Sequence, residues 1–187
     1  MKILKIPKKK LDVFASILKQ FWEIHAPVEQ NGKYVFKPLS FWSEACLNYT
    51  RTILPPKKYF LPPQDALFEY RQGTGYIPVR EGLDKRIILF GLHSCDIYAL
   101  NILDEVFAGK YNDPYYQTRR KNVAVIGVDC IPDEHCFCRS MRADFVEKGF
   151  DLFFYDIGDF YLTMVGTSLG DDMILATSSL FEATTEA

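Results

Sequence analysis

An α/β fold on a mixed sheet, holding one parallel β-α-β unit and an antiparallel hairpin, is what the order of apolar patterns predicts. Two short runs, Arg86-Ile87-Ile88-Leu89-Phe90-Gly91 and residues 122–128, are apolar without alternation, as strands covered on both faces are. Between them Ile97, Leu100, Ile102, Leu103, Val106 and Phe107 recur at helical spacing, so a helix joins the two strands and they pair in parallel. Asn31-Gly32 lies between two further strand-like segments, and that dipeptide favours the tight turn of an antiparallel hairpin.

Taken in order, residues 8–24 carry Leu11, Phe14, Ile17, Leu18, Phe21 and Trp22 as a helical stripe. Residues 23–28 and 33–38 are the arms of the first hairpin, and 40–52 is read as a short helix. Leu54-Pro55-Pro56 and Leu61-Pro62-Pro63 bracket a rigid connector over 57–60. Residues 65–70 precede the loop Gln72-Gly73-Thr74-Gly75, which leads into a weak strand over 76–79. After the strand ending at Gly91 comes a loop, His93 to Asp96, with Asp96 placed as N-cap of the following helix. Asn112-Asp113-Pro114-Tyr115-Tyr116 reads as a turn before the second buried strand. Residues 152–155 and 160–165 flank Gly158-Asp159 as a second antiparallel hairpin, and 168–187 is a weakly patterned loop or partner-docking arm. The whole of 1–187 is read as a single α/β domain.

The net charge of −2 argues against a general nucleic-acid binder. From Asp144 onward the balance is −8, whereas residues 1–143 carry +6, an asymmetry that would orient the chain against a partner or simply form a solvated acidic face. The lysine-rich start lacks the apolar core of a secretory signal, and no run approaches the ~18 apolar residues of a membrane span. A cytoplasmic location is therefore expected, where clustered cysteines serve as ligands or catalysts rather than as disulfides.

Four of the five cysteines fall at the ends of the two buried strands: Cys95 after the first, and Cys130, Cys136 and Cys138 after the second. Open α/β sheets place their sites at these carboxyl ends. A C-x5-C-x-C group with one remote cysteine supplies the four thiolates of a [4Fe-4S] cluster or of a structural Zn site. Soft sulfur selects these over harder ions, and the cluster is the leading reading. Zinc, which would make the chain a colourless assembly scaffold, is the alternative; thiol chemistry at Cys95 or Cys136, with His135 as a partner, is the third. His93 and His135 are candidates for hydrogen bonding to the site, for replacing a cysteine in a mixed zinc site, or for plain surface positions. Asp96 and Asp129 border ligands, and Arg139 and Arg119-Arg120-Lys121 bring cations near them in sequence. Cys46 stands alone and is read as filler. No Walker loop and no G-x-G-x-x-G follows a strand, so no nucleotide site is assigned.

These motifs resemble a known family. Gly91-x-His93-x-Cys95-Asp96, Asp113-Pro114-Tyr115-Tyr116-x-x-Arg119-Arg120 and Cys130-x5-Cys136-Phe137-Cys138-x-Ser140-Met141 are similar to the beta subunit of cytoplasmic sulfhydrogenases and equally to the corresponding iron–sulfur subunit of anaerobic sulfite reductase. Pro56-Lys57-Lys58-Tyr59-Phe60-Leu61-Pro62-Pro63 fits the same pattern, so that 54–141 is the best-matching iron–sulfur module. The resemblance implies an electron-transfer component of an oxidoreductase complex rather than a catalytic one, with Cys95, Cys130, Cys136 and Cys138 holding the cluster. Its implied partners are a flavin- and NAD(P)-binding reductase subunit together with a catalytic redox subunit, of hydrogenase or sulfite-reductase type. Family members also continue into a ferredoxin-like domain with two further clusters on Cys-x-x-Cys-x-x-Cys runs, which these 187 residues do not contain. The chain is accordingly read as a piece, a stand-alone subunit or a relative without that relay. His93 stands where the family pattern has Arg.

Overall fold

The computed structural model describes residues 2–79, 85–109 and 112–183. Eight strands form its main sheet: β1 (Ile3–Pro7), β2 (Glu23–Gln30), β3 (Lys33–Pro38), β6 (Ile87–Leu92), β7 (Val123–Val128), β8 (Leu152–Asp156), β9 (Phe160–Val165) and β10 (Glu182–Ala183). Their order across it is β10-β1-β9-β8-β7-β6-β2-β3. A separate two-stranded ribbon pairs residues Phe68–Arg71 (β4) with Gly75–Pro78 (β5). β2, β6, β7 and β8 run parallel to their neighbours in that group, and the outer pairs are antiparallel. The mixed sheet, the parallel β-α-β unit and the antiparallel hairpins are thus as the sequence predicts.

Alternation along the central strands sorts side chains into two cores. On β7, Ala124, Ile126 and Val128 face one core while Val123 and Val125 face the other. The first core is closed by α1 (Leu11–Leu18) and α4 (Ser168–Ala176), with Phe14 edge-on to Phe90 and Phe154 at 6.3 and 6.0 Å. The second is closed by α2 (Ser94–Phe107) and α3 (Pro114–Lys121), through Ile97, Leu100 and Tyr116. Helices therefore cover both sheet faces, and this is why β6 and β7 read as unbroken apolar runs.

Several local expectations are corrected. The first helix stops at Leu18 instead of reaching residue 24, because Glu23 already starts β2 against β6; Phe21 is left 65% exposed. Residues 40–52 hold only a short 3-10 turn, Trp42–Glu44, in place of a helix. The turn at Asn112–Tyr116 is the start of α3: Asp113 caps it, its side chain accepting from the Tyr116 N–H at 2.8 Å, and Pro114 fills the first helical position. Asp96 is not the N-cap of α2, since the helix begins at Ser94 and His93 takes that position. The tail is no loose arm: Thr167 caps α4 by accepting from the Gly170 N–H, and Leu180 is buried, whereas residues 184–187 lie outside the described residues. β1 was hidden in a lysine-rich start, and β4 in the alternation Phe68-Glu69-Tyr70-Arg71, which is only four residues long.

Arg119 and Arg120, expected as charges near the site, hold the fold instead. Arg119 makes two hydrogen bonds to the Asp65 carboxylate at 2.7 and 2.8 Å, and Arg120 Nε reaches Asp104 on α2 at 3.1 Å. At the start of β8, buried Asp151 accepts from the Val125 N–H at 2.7 Å through one oxygen and from the Thr167 hydroxyl at 2.5 Å through the other. It joins β7, β8 and the α4 cap in one place. Replacing Asp151 by Ala leaves both donors unmatched, and urea unfolding is expected to show a loss of about 2–4 kcal/mol.

Candidate metal centre

Both strand ends that carry the cysteines lie side by side. β6 and β7 pair in register from Ile87↔Val123 to Leu92↔Gly127, with a bulge between Phe90 and Leu92. At that bulge Gly91 has φ +90°, a region costly for residues with a Cβ, and an added Cβ would meet Leu47 Cδ2 at 2.9 Å and Pro27 Cδ at 3.3 Å. The bend turns the chain directly into α2, so Cys95 sits in its first turn rather than on a loop. Beyond β7, Asp129 is tied to β8 on both sides: its N–H donates to the Phe154 carbonyl and its carboxylate accepts from the Asp156 N–H, each at 2.9 Å. Cys130 follows.

The loop from Cys130 to Ala143 is built on Asp133. That carboxylate accepts from the His135 N–H at 2.9 Å and from the Cys136 thiol at 3.2 Å, and it pairs with Arg51 from across the site. The Cys136 N–H donates to the Asp133 carbonyl at 3.1 Å, and the Ala143 N–H to the Cys138 carbonyl at 2.8 Å, closing two turns around the cysteines. Buried Ala143 and Val146 fasten the far end of the loop to the body.

The result is one cavity of about 400 Å³ whose wall includes Cys95, Cys130, Cys136 and Cys138. All four expected ligands are brought together, while Cys46 is elsewhere, its thiol directed to the Glu44 carbonyl at 3.8 Å. Burial pushes the Cys95 thiol up to about 12, followed by the negative charge of Asp96 and then by Cys130 and Cys138. Burial likewise raises Cys130 to about 11, with Cys138 and Cys136 next in effect. The thiols thus feel one another, and burial outweighs the helix N-terminus that would favour a thiolate at Cys95. Among the described residues, no three His, Cys, Asp or Glu side chains converge closely enough to hold one metal ion. A tetrahedral zinc with bonds of about 2.3 Å would require its sulfurs roughly 3.8 Å apart. A zinc ion and a larger iron–sulfur cluster are both held by soft sulfur donors of the kind this cavity presents.

The expected neighbours divide. His93 lines the cavity, is buried, and stacks on Tyr49 with ring centroids 4.1 Å apart and planes 15° from parallel; its Nε2 has no hydrogen-bond partner. Such an atom costs about 1–3 kcal/mol unless something satisfies it. His135 also lines the cavity, but its side chain is 70% exposed and lies 3.6 Å from Glu134, with no bond to Cys95. Asp96 is not on the cavity wall; burial raises its carboxyl to about 6, opposed by hydrogen bonding from the His93 backbone. Arg139 is largely exposed, 4.0 Å from Asp144, and also off the wall. Tyr49 and Arg51 were missed from sequence, for neither stands beside a cysteine in the chain.

No family model matches the chain, and no solved structure matches it. Among curated proteins it is similar to Sulfhydrogenase 2 subunit beta of Pyrococcus furiosus, 39% identical over 186 residues. The alignment takes in 100% of this chain and 55% of that protein, so the chain spans about half the length of its relative. The resemblance read from the motifs is thereby supported along the whole chain and for part of the relative.

Gly91→Ala tests whether the bulge sets the site. It forces a side chain into a positive-φ position against Leu47, and thermal unfolding is expected to show a loss of about 1–3 kcal/mol.

Proposed function

We propose that this chain, which the comparison supports as a relative of the sulfhydrogenase beta family, is an iron–sulfur electron-transfer subunit of a cytoplasmic redox complex. Cys95, Cys130, Cys136 and Cys138 would hold one [4Fe-4S] cluster, which supplies one-electron storage at a potential set by its surroundings. The observation that carries this reading is that four cysteines from two strand ends, 35 residues apart at their nearest, line one cavity. The chain's own part is to present four thiols from two neighbouring strand ends. Its partners on this reading are a flavin- and NAD(P)-binding reductase subunit together with a catalytic redox subunit. Among the described residues no helix is long and apolar enough to cross a membrane.

The zinc-stapled scaffold would use the same four thiols but is less well supported, because the relative's name, a sulfhydrogenase subunit, points to redox work. A thiol-dependent enzyme fits less well still. Nucleophilic cysteines need a stabilised thiolate, whereas burial here pushes Cys95 and Cys130 the other way and no histidine hydrogen-bonds to any of the four thiols among the described residues.

Protein purified without oxygen is expected to be brown, to bleach on reduction, and to contain about four irons and four acid-labile sulfides per chain. Serine at any of the four positions is expected to lose colour and iron, while Cys46→Ser keeps both. One zinc without sulfide would establish the scaffold in its place. A metal-free, colourless chain would leave the thiol chemistry.

A further inference from the structure

Tyr49 comes from a stretch without regular secondary structure, yet only 5% of it is exposed. Its phenol O–H donates to the Gly91 carbonyl at 2.8 Å, at the point where β6 bends toward the cysteine site. Its ring lies flat on the His93 imidazole, and Phe36 packs edge-on against it at 6.1 Å and 89°. One side chain thus grips the bulge that starts the turn and the histidine that ends it, two residues before Cys95. His93, held this way, lies on the cavity wall with a shielded ring nitrogen that no protein group satisfies. The group proposed for this cavity brings sulfides and thiolates, which only accept hydrogen bonds.

We propose that Tyr49 is a positioning residue for the cysteine site: anchored on Gly91 and stacked on His93, it holds the imidazole so that a ring N–H donates to sulfur of the bound cluster. This rests on the iron–sulfur reading above. Hydrogen bonds to cluster sulfurs stabilise the more negative, reduced form and so raise the reduction potential. Tyr49 touches no reacting atom and acts through His93. Without its clamp the imidazole would be free to turn away.

The test is the midpoint potential of the loaded chain, measured beside its iron and sulfide content. His93→Leu is expected to keep iron and sulfide while the equilibrium constant for reduction falls about three- to tenfold, tenfold being 59 mV for one electron. His93→Gln, which retains an N–H donor, is expected to move less. Tyr49→Leu shifts the potential in the same direction, and adding it to His93→Leu produces no further shift, as expected of residues acting as one unit. Tyr49→Phe keeps the stack and loses the anchor; its smaller shift also vanishes in the His93→Leu background, which preserves the comparison if Tyr49→Leu does not fold. An unmoved potential in His93→Leu overturns the donor, and lost iron there would make the ring a ligand and overturn it too. Shifts from Tyr49 and His93 that add in full overturn the positioning role. A wild-type chain without iron and sulfide overturns the proposed function and this inference together, whereas a loaded chain with an unmoved potential overturns this inference alone.

Discussion

The parallel register of β6 and β7 is the constraint on which the site depends. Leu92 pairs with Gly127, and Cys95 and Cys130 each stand three residues beyond that rung. Two cysteines distant in sequence therefore emerge at the same height on neighbouring strands. The register is enforced from inside the sheet. A slip of one residue would exchange the faces of β7, sending Ala124 and Ile126 to the core that Val123 and Val125 now fill. Gly127 tightens this further: a Cβ there would lie 2.4 Å from Phe153 and 2.8 Å from Ile97, so the helix after β6 and the strand after β7 both close on that one position. Packing inside the sheet thus fixes where the thiols begin.

Electrostatics then determines what those thiols are suited to. Cys95 lies in the first turn of a helix, where the dipole favours a negative charge, yet burial and the neighbouring Asp96 and cysteines push its thiol well above the ordinary range. Cys130 behaves alike. Near the loop's surface, the Cys136 S–H donates to the Asp133 carboxylate, an arrangement that suits a protonated sulfur. On the function proposed above, a positively charged metal core would reverse the balance at Cys95 and Cys130, because ligation replaces the protons and neutralises charge that burial otherwise penalises. The same burial that makes Cys95 and Cys130 poor nucleophiles is compatible with their being good ligands.

Much of this was legible in the chain because the signals were local and redundant. β6, α2 and β7 announce themselves by two unbroken apolar runs around a helical period, and the cysteines mark the strand ends, so architecture and candidate ligands could be read together. What escaped was either polar or distant. α3 buries Tyr116 alone among its eight residues, so periodicity had little to register, and its true signal was the Asp113-Pro114 cap. α4 carries Gly170 in its first turn, which argues against a helix until Asp151 is seen: its carbonyl would be 2.1 Å from any Cβ there. Asp96 had the chemistry of a cap, but α2 already begins at Ser94 and His93 takes the capping position. Tyr49 could not be found from its neighbours, since its importance lies in a carbonyl and a ring more than 40 residues away.

The two halves of the cysteine set differ in how firmly they are held. Cys95 and Cys130 leave buried strand ends and move only if the sheet does. Cys136 and Cys138 belong to a loop whose apolar side chains face outward, with Ile131 93%, Phe137 77% and Met141 65% exposed. That loop has almost no core of its own between Cys130 and Ala143, and its shape rests on the Asp133 turn, the Arg51 pair and backbone bonds from Met141 to Phe137, Arg142 to Arg139 and Ala143 to Cys138. Such contacts are individually worth about 1 kcal/mol, against an ordering cost of roughly the same size for every residue fixed. On the function proposed above, metal–thiolate bonds to Cys136 and Cys138 would add to what holds this loop.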